Sequence, residues 1–176
     1  MTIVPVRLVK GSDDVLRGDA LSAAIDAAVG DADRSLVLDE FDLDHVGLGA
    51  AVDAAQTPPF LTDLRVVVVR HFGRFSKNAE VESLVEYLDD PLPTTALVLA
   101  WEKAGVSSQT ETGEPIAKQP KVPAALTKAV KAVGGEIIDP SPPRDTAGWI
   151  AKQFTDGGVT VDQRARARVA AVLGED

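Results

Sequence analysis

Cysteine is absent from the 176-residue sequence, which excludes disulfides and thiolate metal sites and leaves oxidative secretion neither required nor suggested. A reducing cytoplasm is the location that fits. No window reaches the roughly 18 apolar residues that a membrane-spanning helix needs. Residues 1–10 carry no basic segment followed by a long apolar run, so neither insertion nor export is indicated. Positive charge is also short: 18 Lys and Arg stand against 27 Asp and Glu, a formal net charge of −9. A protein whose main affinity came from neutralising nucleic-acid phosphates would carry the opposite balance. The electrostatics point to a protein partner, and the basic residues Lys118, Lys121, Lys128, Lys131, Arg164, Arg166 and Arg168 read as solvated helix faces.

What is present is a chain that folds. Apolar residues make up 45% and charged residues 26% of the sequence, values of an ordinary globular protein. The length suits one domain with part of a second. Hydrophobic period predicts strands over 6–10, 34–41, 66–69, 96–101 and 136–139, with helices over 13–29, 46–56, 79–88 and 123–133 between them. Asp13 is a candidate N-cap. The stripe Leu16, Ala20, Leu21, Ala24, Ile25 and Ala28 marks the core face of the first helix, and Val46, Ala50, Ala51 and Ala54 that of the second. The unbroken run Val66-Val67-Val68-Val69 lacks polar alternation and reads as a central strand buried on both faces. Residues 102–122 lack periodicity and read as a long mobile loop. Strand and helix alternate in the manner of a five-stranded parallel α/β sheet with flanking helices.

Prolines at 140, 142 and 143 place a domain boundary after residue 140. Beyond it, helices are predicted over 144–155 and 161–173. Two helices alone bury little surface, so 141–176 reads as the start of a second, helical domain in a chain that naturally continues.

In a sheet of this type a ligand sits at the carboxyl ends of the strands. The turn after the first strand, Lys10-Gly11-Ser12-Asp13-Asp14, has one glycine, two acids and no lysine at the spacing of a phosphate-gripping loop. Nucleotide hydrolysis is not expected there. The run Leu36-Val37-Leu38-Asp39-Glu40 looks like the magnesium-and-water half of an NTPase site, yet without the cradle it reads as a surface turn. Asp13, Asp14 and Asp39 together are the candidates for a magnesium-dependent phosphoacceptor, as in receiver domains; that reading needs an Asp after the third strand and a Lys after the fifth, where Arg70-His71 and Asp139-Pro140 stand. A nucleotide-binding enzyme with an unusual loop is a further alternative. His45 and His71 have no second ligand at metal spacing in the sequence and read as surface or strand-end residues.

One feature remains. In Gln56-Thr57-Pro58-Pro59-Phe60-Leu61-Thr62-Asp63 two prolines stop the second helix and stiffen the turn that carries Phe60 and Leu61. Either Phe60 faces water and anchors a partner, or it folds inward over the sheet edge; spacing leaves both open.

The stretches Arg7-Leu8-Val9-Lys10-Gly11-Ser12-Asp13-Asp14-Val15-Leu16, Ala54-Ala55-Gln56-Thr57-Pro58-Pro59-Phe60 running into Arg65 and the four valines, and Trp149-Ile150-Ala151 together make the chain similar to the delta subunit of the bacterial DNA polymerase III clamp loader. That resemblance implies an AAA+-like α/β domain over 1–140 with no functional phosphate loop and no cofactor, then a small lid-like helical domain from 141. It implies a non-catalytic subunit of the DNA-synthesising holoenzyme that binds and opens the sliding clamp, the beta subunit. The other loader subunits would be met through a C-terminal collar domain not found in these residues, and DNA only indirectly. Phe60 takes the second place of the family's hydrophobic pair. Pro59 stands where a larger apolar residue is usual, with Leu61 able to replace part of its contact. The family's basic segment after the fourth strand is altered at Glu102-Lys103-Ala104-Gly105.

Overall fold

A computed structural model describes residues 3–102 and 121–140, all within the first of the chain's two units, Met1–Pro140. The expected boundary after Pro140, the helices over 144–155 and 161–173, and most of the loop over 102–122 lie outside the described residues, as do Lys118, Arg164, Arg166 and Arg168.

Strands β1 (Val6–Val9), β2 (Leu38–Asp42), β3 (Arg65–Arg70), β4 (Thr95–Ala100) and β5 (Glu136–Ile138) form one sheet in the order β2-β3-β4-β1-β5. Every pairing is parallel. Helices α1 (Asp14–Val29), α2 (Arg34–Val37), α3 (Leu48–Gln56), α4 (Glu82–Asp89) and α5 (Ala124–Ala132), with short 3-10 helices at Phe72–Arg74 and Asn78–Val81, are the other elements of the described residues. The five-stranded parallel α/β sheet expected from the sequence is present.

Period 2 along the strands divides the core into two layers. Val67, Val69, Leu97 and Leu99 join a cluster with Leu48, Ala51, Val52 and Ala55 of α3, Leu84 and Leu88 of α4, and Leu126 and Val130 of α5. Val66, Val68, Ala96 and Val98 face the other way, onto Leu21, Ala24, Ile25 and Ala28 of α1. All four valines are buried, as their unbroken run requires. Both faces of the sheet are thus covered, which a parallel sheet needs.

Three local expectations are corrected. Residues 34–37 are not strand: the Asp33 carboxylate accepts from the backbone N–H and the hydroxyl of Ser35 and caps the short helix α2, so β2 begins only at Leu38. Helix α3 starts at Leu48, and its buried face is Leu48, Ala51, Val52 and Ala55, whereas Val46 and Ala50 are exposed. The turn over 43–46 ends at Gly47, the extended N-cap, so the helix starts two residues after Val46 and its buried face moves off the stripe counted from there. Glu102, read as the start of a mobile loop, is buried and fixed: its carboxylate accepts from Arg70 at 2.8 and 2.9 Å and from the His71 backbone at 3.2 Å. Beside it Trp101 packs edge-on against Phe72.

Candidate partner-binding site

The turn after β1 is where this type of sheet would hold a phosphate. Here the chain fills that position with its own groups. Asp13 caps α1 as the sequence predicts: one carboxylate oxygen accepts from the N–H of Val15 and of Leu16, both at 2.9 Å. These are the helix-end donors a phosphate would use. Arg17, only 7% exposed, bends back to donate to the Gly11 carbonyl at 2.9 Å and to Asp14 at 2.8 Å. Its cationic group is thereby spent on the loop. Gly11 has φ 147°, and a side chain there would press on the Pro140 carbonyl at 3.3 Å.

The phosphoacceptor set does not assemble. Asp39 lies near the start of β2, opposite Val67, and pairs with Arg65 at 3.3 Å. Asp13 and Asp14 follow the end of β1, three places from β2 in the sheet order. The strand that seemed to end at Asp39-Glu40 runs on to Asp42. At that end the structure brings together a group the sequence reading missed: ligand-type atoms of Asp42, Asp44 and His71 all lie within 4.8 Å of one another. His71 Nδ1 is 2.7 Å from Asp42 and 3.5 Å from Asp44. The Arg74 guanidinium stands 3.7 Å from Asp44, and it also donates to the Leu43 carbonyl. The imidazole beside Asp42, with the Asp44 backbone N–H, holds the Asp42 carboxyl below its usual value. Sequence spacing could not reveal this cluster, because it exists only once β2 and β3 pair in the register Asp42↔Arg70.

The opposite, amino-terminal edge of the sheet carries the apolar feature. Between α3 and β3 the turn over 57–64 projects Phe60 at 95% and Leu61 at 81% exposure, with Pro59 half-buried beneath them. Of the two placements open from spacing, the ring faces water. Leu36 of α2, 62% exposed, stands beside them across a shallow hollow of about 180 Å³ shared with Val37, Leu64 and Arg65. Spacing gave no sign of Leu36 there, because α2 was read as strand. The turn is held from below. Arg65 donates to the carbonyls of Ala54 and Thr57, each at 3.0 Å, and Thr57 and Thr62 bond back to Asp53 and Leu64. Bracing holds the turn's backbone, so a partner has less of it to order on docking.

The geometry defines a class: an AAA+-like α/β module whose phosphate position is occupied by its own side chains and whose apolar tip lies at the far edge of the sheet. A family model described as "DNA polymerase III, delta subunit" matches residues 8–123, and the chain belongs to that family of clamp-loader-type subunits. Among solved structures it is similar to the Bacillus subtilis DNA clamp loader delta protein (YqeN), with a TM-score of 0.56 and 22% identity, over 93% of this chain and 47% of that one. That likeness shows the fold, and the chain spans about half the length of the Bacillus protein. A DNA polymerase III gamma subunit-related protein from Thermotoga maritima gives a TM-score of 0.49 at 13% identity, over 86% of this chain and 46% of that one. No curated protein matches the chain at comparable significance. Among the described residues no helix is long and apolar enough to cross a membrane.

Proposed function

We propose that this chain is the clamp-binding part of a cytoplasmic delta subunit, which engages the sliding clamp through Phe60, with Leu61 and Pro59 beside it, and opens the ring without chemistry of its own. The single observation that carries this reading is the Phe60 ring, 95% exposed on a turn braced by Arg65. Burying such a ring in a partner's pocket contributes roughly 1.5–3 kcal/mol, and anchors of this kind dominate interfaces. A ligand opens a ring only by binding the open form more tightly than the closed one. Plugging by Phe60 supplies affinity, and strain at the clamp's own seam supplies the difference. The self-filled turn at Gly11 supports a subunit that takes its timing from ATPase partners, met through a C-terminal collar, rather than from bound nucleotide. Residues 1–140 form the clamp-binding domain in this reading, and a small helical domain begins at 141.

The test is capture of the organism's own sliding clamp by wild type and by Phe60→Asp. Capture by wild type alone is expected. Equal capture by both removes Phe60 from the contact, and capture by neither removes clamp binding from this part of the chain.

A further inference from the structure

The apolar tip is built from two elements, and the second is α2. Five large apolar side chains are exposed among the described residues, and three of them, Leu36, Phe60 and Leu61, line one hollow of about 180 Å³. A single exposed apolar residue is ordinary, whereas residues from two separate segments that converge on one hollow mark a contact surface. Leu36 is not there for the core. Its neighbour Val37 joins the cluster on the α1 face of the sheet, and Leu36 stays in water. Its place at the rim is nevertheless fixed. The Asp33 carboxylate accepts from Ser35, the Asp33 carbonyl accepts from the N–H of Leu36 at 3.0 Å and of Val37 at 3.2 Å, and buried Val37 pins the short helix to the sheet.

The polar groups of the hollow bond into the chain itself. Arg65 donates to the Ala54 and Thr57 carbonyls and pairs with Asp39, and the Thr62 hydroxyl donates to the Leu64 carbonyl. What suits the remaining space is therefore an apolar group. A cavity of about 150 Å³ holds a benzene-sized molecule, so the hollow has room for one Leu, Met or Phe side chain.

We infer, resting on the reading that the sliding clamp takes Phe60, that the clamp in turn sets one apolar side chain of its own between Leu36, Phe60 and Leu61. The contact then interlocks in both directions, and Leu36 helps decide which partner fits. A partner that buries the Phe60 ring must come down over the hollow, because that ring is part of its lining. Left empty under the partner, the hollow would forfeit the contacts of a filled cavity; filled by a charged group, it would bury a charge with no ion partner.

The test is an equilibrium titration of the clamp with the full chain and its variants. Leu36→Ala should raise Kd about five- to tenfold with Tm unmoved, since Leu36 lies mostly in water. Leu36→Trp adds apolar area but takes up the hollow, and it should also weaken binding. Val15→Ala alters an apolar residue 70% exposed in the first turn of α1, after the carboxyl end of β1, and should leave Kd unchanged. In Leu36→Ala/Phe60→Ala the two losses should add to less than their sum, because both residues line the space that one side chain fills. Wild-type affinity in Leu36→Ala beside weakened binding by Phe60→Ala would overturn this inference and leave the clamp reading standing, whereas no binding by wild type would remove both. Tighter binding by Leu36→Trp would show that the hollow receives nothing. Self-association of the wild type in sedimentation, lost in Leu36→Ala while clamp affinity stays, would assign the hollow to a second copy of the chain and equally overturn it.

Discussion

Arg65 donates to the Thr57 carbonyl at 3.0 Å, tying the first residue of β3 to the turn that exposes Phe60. The same guanidinium reaches Ala54 at the end of α3 and Asp39 of β2. One side chain therefore joins three elements beneath the apolar tip. Replacing it by methionine keeps the aliphatic stem and removes every donor. Arg65→Met should lower stability by about 1–2 kcal/mol in urea unfolding. It should also weaken clamp binding although Arg65 itself lies under the tip, because the turn must then be ordered on docking. Unchanged affinity in the folded variant would show that the turn needs no brace.

The cap at Asp13 gives a separate prediction about the phosphate position. Asp13→Ala removes the acceptor for Val15 and Leu16 and should cost about 1 kcal/mol. Wild-type melting should not respond to ATP with magnesium, and a saturable rise in Tm would contradict the self-filled turn.

Two glycines should respond in opposite directions to the same added methyl group. Gly18 lies mid-helix in α1 with nothing within 4 Å of a Cβ, so Gly18→Ala should stabilise by about 0.5–1 kcal/mol. At Gly73 a Cβ would stand 2.2 Å from the Glu102 carbonyl oxygen, the same oxygen that accepts from the Gly73 N–H. Gly73→Ala should destabilise by about 1–3 kcal/mol. Urea midpoints of the two variants check both.

Asp42 makes stability depend on acid. Its hydrogen bond to His71, and then that from the Asp44 backbone, lower its pKa in the folded protein below 3.8. Stability from this carboxylate is fully present above 3.8 and is lost as pH falls through the lower folded value. The effect stays below about 1 kcal/mol, since 35% of the side chain remains in water. The stability gap between wild type and Asp42→Asn should narrow as the pH drops below 3.8. A gap that stays constant there would contradict the assignment.

Much of this fold is legible in the sequence because burial on two faces leaves plain marks, as in the valine run of β3 and the Asp13 cap of α1. Each misreading has an identifiable cause. Arg34-Ser35-Leu36-Val37 looks like strand until the Asp33 carboxylate is seen to cap it as a helical turn. The α3 stripe was displaced because a helix after Gly47 cannot be phased from Val46. Glu102 looked like loop because its partner Arg70 is remote in sequence and meets it only across paired strands. The Phe60 turn was legible as a stiff apolar element, but its outward direction was not. That direction depends on Arg65 meeting carbonyls that α3 presents only when folded.

The central claim rests on a single aromatic ring, and an equilibrium titration of the sliding clamp with wild type and Phe60→Ala tests it most directly. A ring 95% exposed contributes little to the chain's own stability, so Tm should not move. Its loss from a partner's pocket should raise Kd by roughly 10- to 150-fold. An equal Kd for the two folded proteins would contradict the account.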